Sequence, residues 1–265
     1  MTGLIWRSSA VAAVALSVLS CSDSTGPGDR HATFEWDGTV AAGDVVEVKG
    51  ISGSIRALPS TGDAVRVVAT KRGSDDDPST VAIEVVEHDG GVTVCAVYPD
   101  VPGEPVNECL PGSGGFLSSR GNDVVVTFDV EVPTSAALVA VTVAGGITAS
   151  GMGEDVSATT VDGHIDVSTD GQARGTTVNG NVDVSMGRAD WNRDLSFVTV
   201  NGHVTVRVPA ETNAEVTAAT VNGSVSSDFG LTLSADGRLM TGTLGIGGRM
   251  LTLTTVNGNV ALLER

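Results

Sequence analysis

The sequence predicts an all-β chain, a solenoid-like stack of short strands with a β meander before it. Three observations lead there. Glycine accounts for 34 of the 265 residues and aromatics for only 3%, so the chain turns often and packs with small branched side chains. Beyond the N-terminus, no segment repeats apolar residues at the three- and four-residue spacing of a helix with one buried face. A short motif recurs through the second half at steps of roughly twenty residues, which is the period of a stacked repeat.

The first element is an address. A run of apolar and small residues from Ala10 to Leu19 follows the positive charge of Arg7, as in a secretion signal. Ten helical residues at about 1.5 Å each cover roughly half of a hydrocarbon core of about 30 Å, so the run does not span a bilayer. Val18-Leu19-Ser20-Cys21 resembles the lipobox of bacterial lipoproteins. Cleavage there would make residues 1–20 a signal peptide and leave Cys21 lipidated. Residues 21–33 then form a polar tether rich in Gly, Pro and Ser. Removing 1–20 takes away Arg7 alone, so 14 basic side chains remain against 32 acidic ones, a charge of -18. Ser22 after the anchor fits an outer-membrane destination in a host that has one.

Residues 34–135 are expected to form an N-terminal β region, with strands at 45–48, 65–68, 81–85, 92–94 and 124–130 between Gly, Pro and Asp clusters. Export places the two other cysteines, Cys95 and Cys109, in an oxidising compartment, where they are expected to pair. The segment between them carries three prolines and a glycine and cannot be a regular strand.

Residues 136–265 carry the repeat. Its copies are Thr160-Val161-Asp162-Gly163-His164-Ile165, Thr177-Val178-Asn179-Gly180-Asn181-Val182, Thr199-Val200-Asn201-Gly202-His203-Val204, Thr220-Val221-Asn222-Gly223-Ser224-Val225 and Thr255-Val256-Asn257-Gly258-Asn259-Val260. Looser copies centre on Gly53 and Gly145. Asn-Gly between apolar residues suggests a two-residue hairpin, but that pairing would mix core and solvent positions on one face. A continuous strand instead sends Val178, Gly180, Val182 and Val184 inward and Thr177, Asn179, Asn181 and Asp183 outward. On this reading Gly163, Gly180, Gly202, Gly223 and Gly258 are inward positions that permit a bend or a close approach of layers. Stacked rungs would place Thr on Thr and Asn on Asn along an outer face, with Asn179, Asn201, Asn222 and Asn257 forming an amide ladder. The 35-residue step from Gly223 to Gly258 marks a longer excursion.

The recurring Thr-Val-Asn-Gly-x-Val, with residues 208–216 and 227–231, resembles the bacterial DUF4097 β-strand-repeat family, whose members are described as candidate adhesins of the toast-rack fold. The resemblance covers roughly residues 34–262. It implies the fold and a surface role. It brings no catalytic residues, because the family has no agreed biochemical activity.

Composition narrows function further. A formal charge of -17 with only two lysines, Lys49 and Lys71, excludes a nucleic-acid partner, which needs clustered cations against its phosphates. His164 and His203 share a repeat position with Asn181, Ser224 and Asn259, so they decorate the repeat, and His31 and His88 stand apart. No nucleophile elbow, zincin helix or phosphate loop occurs, and no metal or cofactor is expected. Asp75-Asp76-Asp77 reads as a solvated loop before it reads as a calcium site. The chain is therefore expected to be no enzyme but a membrane-tethered envelope module that binds another macromolecule. A sensor of cationic peptides is the alternative motivated by charge, and a polysaccharide-active β-helix enzyme is a weaker one, given so few aromatic platforms.

Overall fold

The computed structural model describes residues 30–265; the leader at 1–20 and Cys21 lie outside the described residues. Two sheets of ten and eleven strands face each other, joined by corners. Seven rungs contribute one strand to each. In chain order they are Val45–Lys49 with Ile55–Ser60, Ala137–Val141 with Ile147–Met152, Val156–Thr159 with Ile165–Thr169, Ala173–Thr176 with Val182–Met186, Leu195–Val198 with Val204–Val208, Ala214–Asn222 with Val225–Ser227, and Met250–Asn257 with Val260–Glu264. Neighbouring rungs pair in parallel, residue on equivalent residue, as in Val182 against Val204 and Val204 against Val260.

Period-two patterning builds the core. Ile165, Val167, Val182, Val184, Val204 and Val206 are at most 1% exposed, while Asp166, Asp183 and Thr205 point outward. No rung could bury both faces of its valines alone, so each depends on its neighbours. The looser copies at Gly53 and Gly145 occupy the first two rungs, with Ser52 bridged to Ala144 and Ala144 to Asp162.

Among the seven rungs, spatial order departs from chain order at one place. The C-terminal rung, Met250–Glu264, lies between the rung ending at Val208 and the rung ending at Ser227. The long step before Gly258 is this detour. After Ser227 the chain crosses to the second sheet, where Leu239–Leu244 runs antiparallel along Ala214–Asn222. It then doubles back to slot its last two strands into the stack.

Antiparallel strands close the other end. Arg30–Thr39 and Val125–Pro133 flank Ala64–Gly73 on the first sheet, and Ala82–His88 pairs with Gly91–Val97 on the second. A disulfide joins Cys95 to Cys109, with their Cα atoms 5.7 Å apart. It holds residues 110–114 over the outer side of the second sheet. There Lys49 Nζ donates to the carbonyl of Leu110 at 2.6 Å, and Glu47 accepts from the Gly112 amide at 2.9 Å and from the Thr93 hydroxyl at 2.8 Å. Glu47 and Lys49 lie 3.6 Å apart and are buried. Each charge therefore has the hydrogen-bond partners that burial demands.

Candidate functional site

The Thr-Val-Asn-Gly-x segments form neither hairpins nor continuous strands. Each is a corner that carries the chain from the second sheet to the first, and the alternation of faces breaks within it. The threonines therefore face inward, contrary to the expectation from parity. Thr160, Thr177, Thr199 and Thr255 are at most 2% exposed, and Thr220 is 7% exposed. Each hydroxyl donates across the rung boundary: Thr177 Oγ1 to the Gly163 carbonyl at 3.0 Å, Thr199 to Gly180 at 2.8 Å, Thr255 to Gly202 at 2.9 Å, Thr220 to Gly258 at 2.8 Å. A buried hydroxyl needs such a partner, and the bending backbone presents a carbonyl at that point on every layer.

The valines that follow are correspondingly outside. Val143, Val161, Val178, Val221 and Val256 are 37–55% exposed, and Val200 is half-buried. They stack into one apolar column along the edge of the sandwich. The carbonyls of Val143, Val161 and Val178 each accept two amides from the next layer, as Val161 does from Val178 and Asn179, and that of Val200 accepts the Asn257 amide, which holds the column in register.

The asparagines do face outward and form the expected ladder. Asn179 Nδ2 donates to Asp162, Asn201 to Asn179 at 2.7 Å, Asn257 to Asn201 at 2.8 Å and Asn222 to Asn257 at 2.8 Å. The next column alternates ring and amide acceptors. His164 Nδ1 accepts from the Asn181 amide, Asn181 Oδ1 from the His203 amide, His203 Nδ1 from the Asn259 amide and Asn259 Oδ1 from the Ser224 amide. His164 and His203 are thus structural rungs of the ladder, with Nδ1 unprotonated in this arrangement.

The glycines are corner residues rather than inward strand residues. A Cβ at Gly163 would overlap the carbonyl of Gly145, and one at Gly180 that of Gly163. Gly202 stands in the same relation to Gly180, Gly258 to Gly202 and Gly223 to Gly258. The column of glycines lets successive corners approach at strand spacing, about 4.8 Å.

These corners are nearly free of charge. From the Val column across the Asn column to the His/Asn column, the six copies between Val143 and Ser224 in space contain one carboxylate, Asp162, and no Lys or Arg. That neutrality stands out on a chain with 32 acidic residues.

Acidic groups elsewhere are engaged in structure. Asp123 accepts amides of Ser74, Asp75 and Asp76 at 2.9–3.2 Å, and Asp77 caps the turn Pro78–Thr80 through the Ser79 amide. The Asp75 and Asp76 amides hold the Asp123 carboxyl below its ordinary value, and the Ser79 hydrogen bonds do the same for Asp77. A carboxyl depressed in the folded state adds stability above its unfolded value, near 3.9, that is lost as pH falls through the lower folded value. Protection of the 74–76 amides, taken as their exchange relative to an unstructured amide at the same pH, should therefore hold from neutrality to about pH 4 and fall below it. In Asp123→Asn it should be low throughout, and pH-independent protection in the wild type would contradict this role.

A hollow of about 280 Å³ on the outer side of the second sheet is lined by Glu154, Asp155, Gln172, Arg174 and Arg193. Arg188 lies 3.1 Å from Glu154 and 3.4 Å from Asp155, while Gln172 Nε2 donates to Asp155 at 2.6 Å. Both carboxylates are thus committed to neighbours. Trp191 packs into the core with its indole N–H on the Arg188 carbonyl at 2.9 Å. Burial pushes the Tyr98 phenol up to about 12, and its hydroxyl donates to the Val124 carbonyl.

No family model matches the chain, and no curated protein does. Among solved structures it is similar to a candidate cell adhesion protein from Clostridium sporogenes, at 9% identity and a TM-score of 0.44 over 88% of this chain and 100% of that one. A candidate adhesin from Bacteroides fragilis gives 9% identity and a TM-score of 0.36 over 88% and 97%.

Proposed function

We propose that the chain is a noncatalytic envelope module of the DUF4097 toast-rack type, tethered to a membrane through Cys21, that presents its valine–asparagine corners to another macromolecule. The observation that carries this is the register of exposed valines at Val143, Val161, Val178, Val256 and Val221. Water-facing apolar columns weaken solubility and add nothing to the core, and contiguous apolar patches of this kind mark interaction surfaces. The asparagine ladder alongside leaves one N–H and part of an acceptor free on each amide, so the strip offers apolar and hydrogen-bonding contacts together. Acidic groups on the outer side of the first sheet are partly answered by arginines, as in Arg56 with Asp129 and Arg207 with Asp183, which favours the neutral strip over capture of cationic peptides.

Replacing Val161, Val178 and Val256 together by Ser should abolish binding of the protein to the envelope fraction of its host, with the melting temperature little changed. The matched triple change of Asn179, Asn201 and Asn222 to Ser should weaken binding less. Undiminished binding by the valine variant would move the site off this strip, and turnover of a glycan by the purified protein would end the noncatalytic reading. Cys21→Ala should release the protein from membranes; retention after a high-salt wash would refute the lipid anchor.

A further inference from the structure

The outermost strand of the first sheet, Arg30–Thr39, has ten residues and pairs with Ala64–Gly73 without a register break. Its other edge is unpaired among the described residues. A long, regular edge strand with free main-chain groups is a template for another strand, and proteins guard such edges with short strands, bulges, proline or unpaired charge. The other sheet ends are guarded. Val225–Ser227 and Thr232–Leu233 are only three and two residues long, and Ala82–His88 carries Glu84 and Glu87 with no ion-pair partner among the described residues.

Arg30–Thr39 is less protected, Arg30 at its start being its one charged group in no ion pair among the described residues. It contains no proline and no bulge, and its carboxylates are neutralised on their own sheet. Arg66 lies 2.7 Å from Glu35 and 3.5 Å from Asp37. On the inner face Phe34 and Trp36 pack against the core but stay half-buried, because no strand lies beyond them. The Trp36 ring folds back over Gly38.

We propose that this edge pairs with the same edge of a second copy of the chain, antiparallel, about a two-fold axis through Phe34. The charge pattern selects that occupant. Arg30 and His31 begin the strand, and Glu35 and Asp37 lie toward its end, so reversal of one copy keeps like groups apart and brings His31 opposite Asp37. With Phe34 opposite Phe34, His31 meets Asp37 and Thr33 meets Glu35 on the outer face. On the inner face Ala32 meets Trp36, and Arg30 meets Gly38. Shifting the axis to Glu35 would set the two Glu35 side chains against each other. Parallel pairing would do the same for Arg30, Glu35 and Asp37. Nine residues per strand then form about eight main-chain hydrogen bonds, and the half-buried aromatics gain a cover. This inference does not depend on the valine strip, which lies at the corners.

The test uses the full chain purified in detergent, with mass measured by light scattering and corrected for bound detergent. The wild type should rise toward twice the mass of one mature chain at about 100 µM, where a contact of micromolar strength is populated. Asp37→Lys and His31→Asp should each weaken association about tenfold, since every substitution acts twice across a two-fold axis. The double variant H31D/D37K should restore it to near the wild-type value. Circular dichroism melts confirm that each variant is folded, and because the residues are exposed, His31→Asp remains informative if Asp37→Lys disturbs the Arg66 contact. A wild type that stays monomeric at about 100 µM overturns the proposal. So does a dimer indifferent to both single changes, or a double variant no better than the singles.

Discussion

Ending the chain at Arg249 should unfold the C-terminal half of the stack rather than trim its tip. The sixteen residues removed include both strands of the rung that sits between its neighbours, not beyond them. Leu195–Val198 and Val204–Val208 would lose their parallel partners on one side. Ala214–Asn222 and Val225–Ser227 would lose, among the described residues, their only pairing with the other rungs. Leu251, Leu253, Val260 and Leu262 are fully buried, and at about 1.5–3 kcal/mol for each such side chain their loss comes to about 6–12 kcal/mol. That is comparable with the whole stability of an ordinary domain, about 5–15 kcal/mol. Hydrogen exchange should show protection collapsing from Leu195 onward while Val45–Met186 keeps its own. If the truncated chain protects Leu195–Val208 as the wild type does, the intercalated order is wrong.

The same arrangement shows where the sequence was legible. Val182, Val184, Val204 and Val206 alternate with polar residues, and that alternation gave the strands and their inward faces, because burial in a sheet leaves a local signature of period two. The asparagine ladder was legible too, since identical residues at a fixed place in a stack must meet. At the corners the signature fails. Apolarity put Val178 inside and Thr177 outside, yet the carbonyl that satisfies the Thr177 hydroxyl belongs to Gly163, fourteen residues away and on another layer. The signal that could have found it is Thr at the same place in all five close copies: an exposed position tolerates Ser, Asn or Lys, whereas a buried donor of fixed size does not. The place of the last rung left no mark, because Thr255-Val256-Asn257-Gly258 matches its neighbours equally well in either order. Nothing local marks the free edge of Arg30–Thr39 either, since pairing is a property of the sheet.

Gly180→Ala should destabilise the protein by about 2–5 kcal/mol, much more than any neighbouring change in the same corner. The added methyl group would overlap the Gly163 carbonyl and crowd the His164 amide on the adjacent layer, both of them main chain, and the carbonyl is held by the Thr177 hydroxyl. No side chain is there to swing aside. Gly180 also has φ +153°, where an L side chain is strained whatever the space. Relief requires separating two corners at the position where the Thr177 and Thr199 hydroxyls bind carbonyls across the layers, so the strain spreads into both hydrogen bonds. Thr177→Val keeps the shape and removes only the hydroxyl, which should cost about 1–2 kcal/mol. Asn181→Val, on the exposed side and one bond poorer, should cost about 1 kcal/mol or less, and Val178→Ser almost nothing, since that side chain already faces water. Thermal melts of the four variants rank these costs directly. If Val178→Ser were as damaging as Thr177→Val, the valine column would belong to the core, and if Gly180→Ala were tolerated, the layers could not be as close as the glycine column requires.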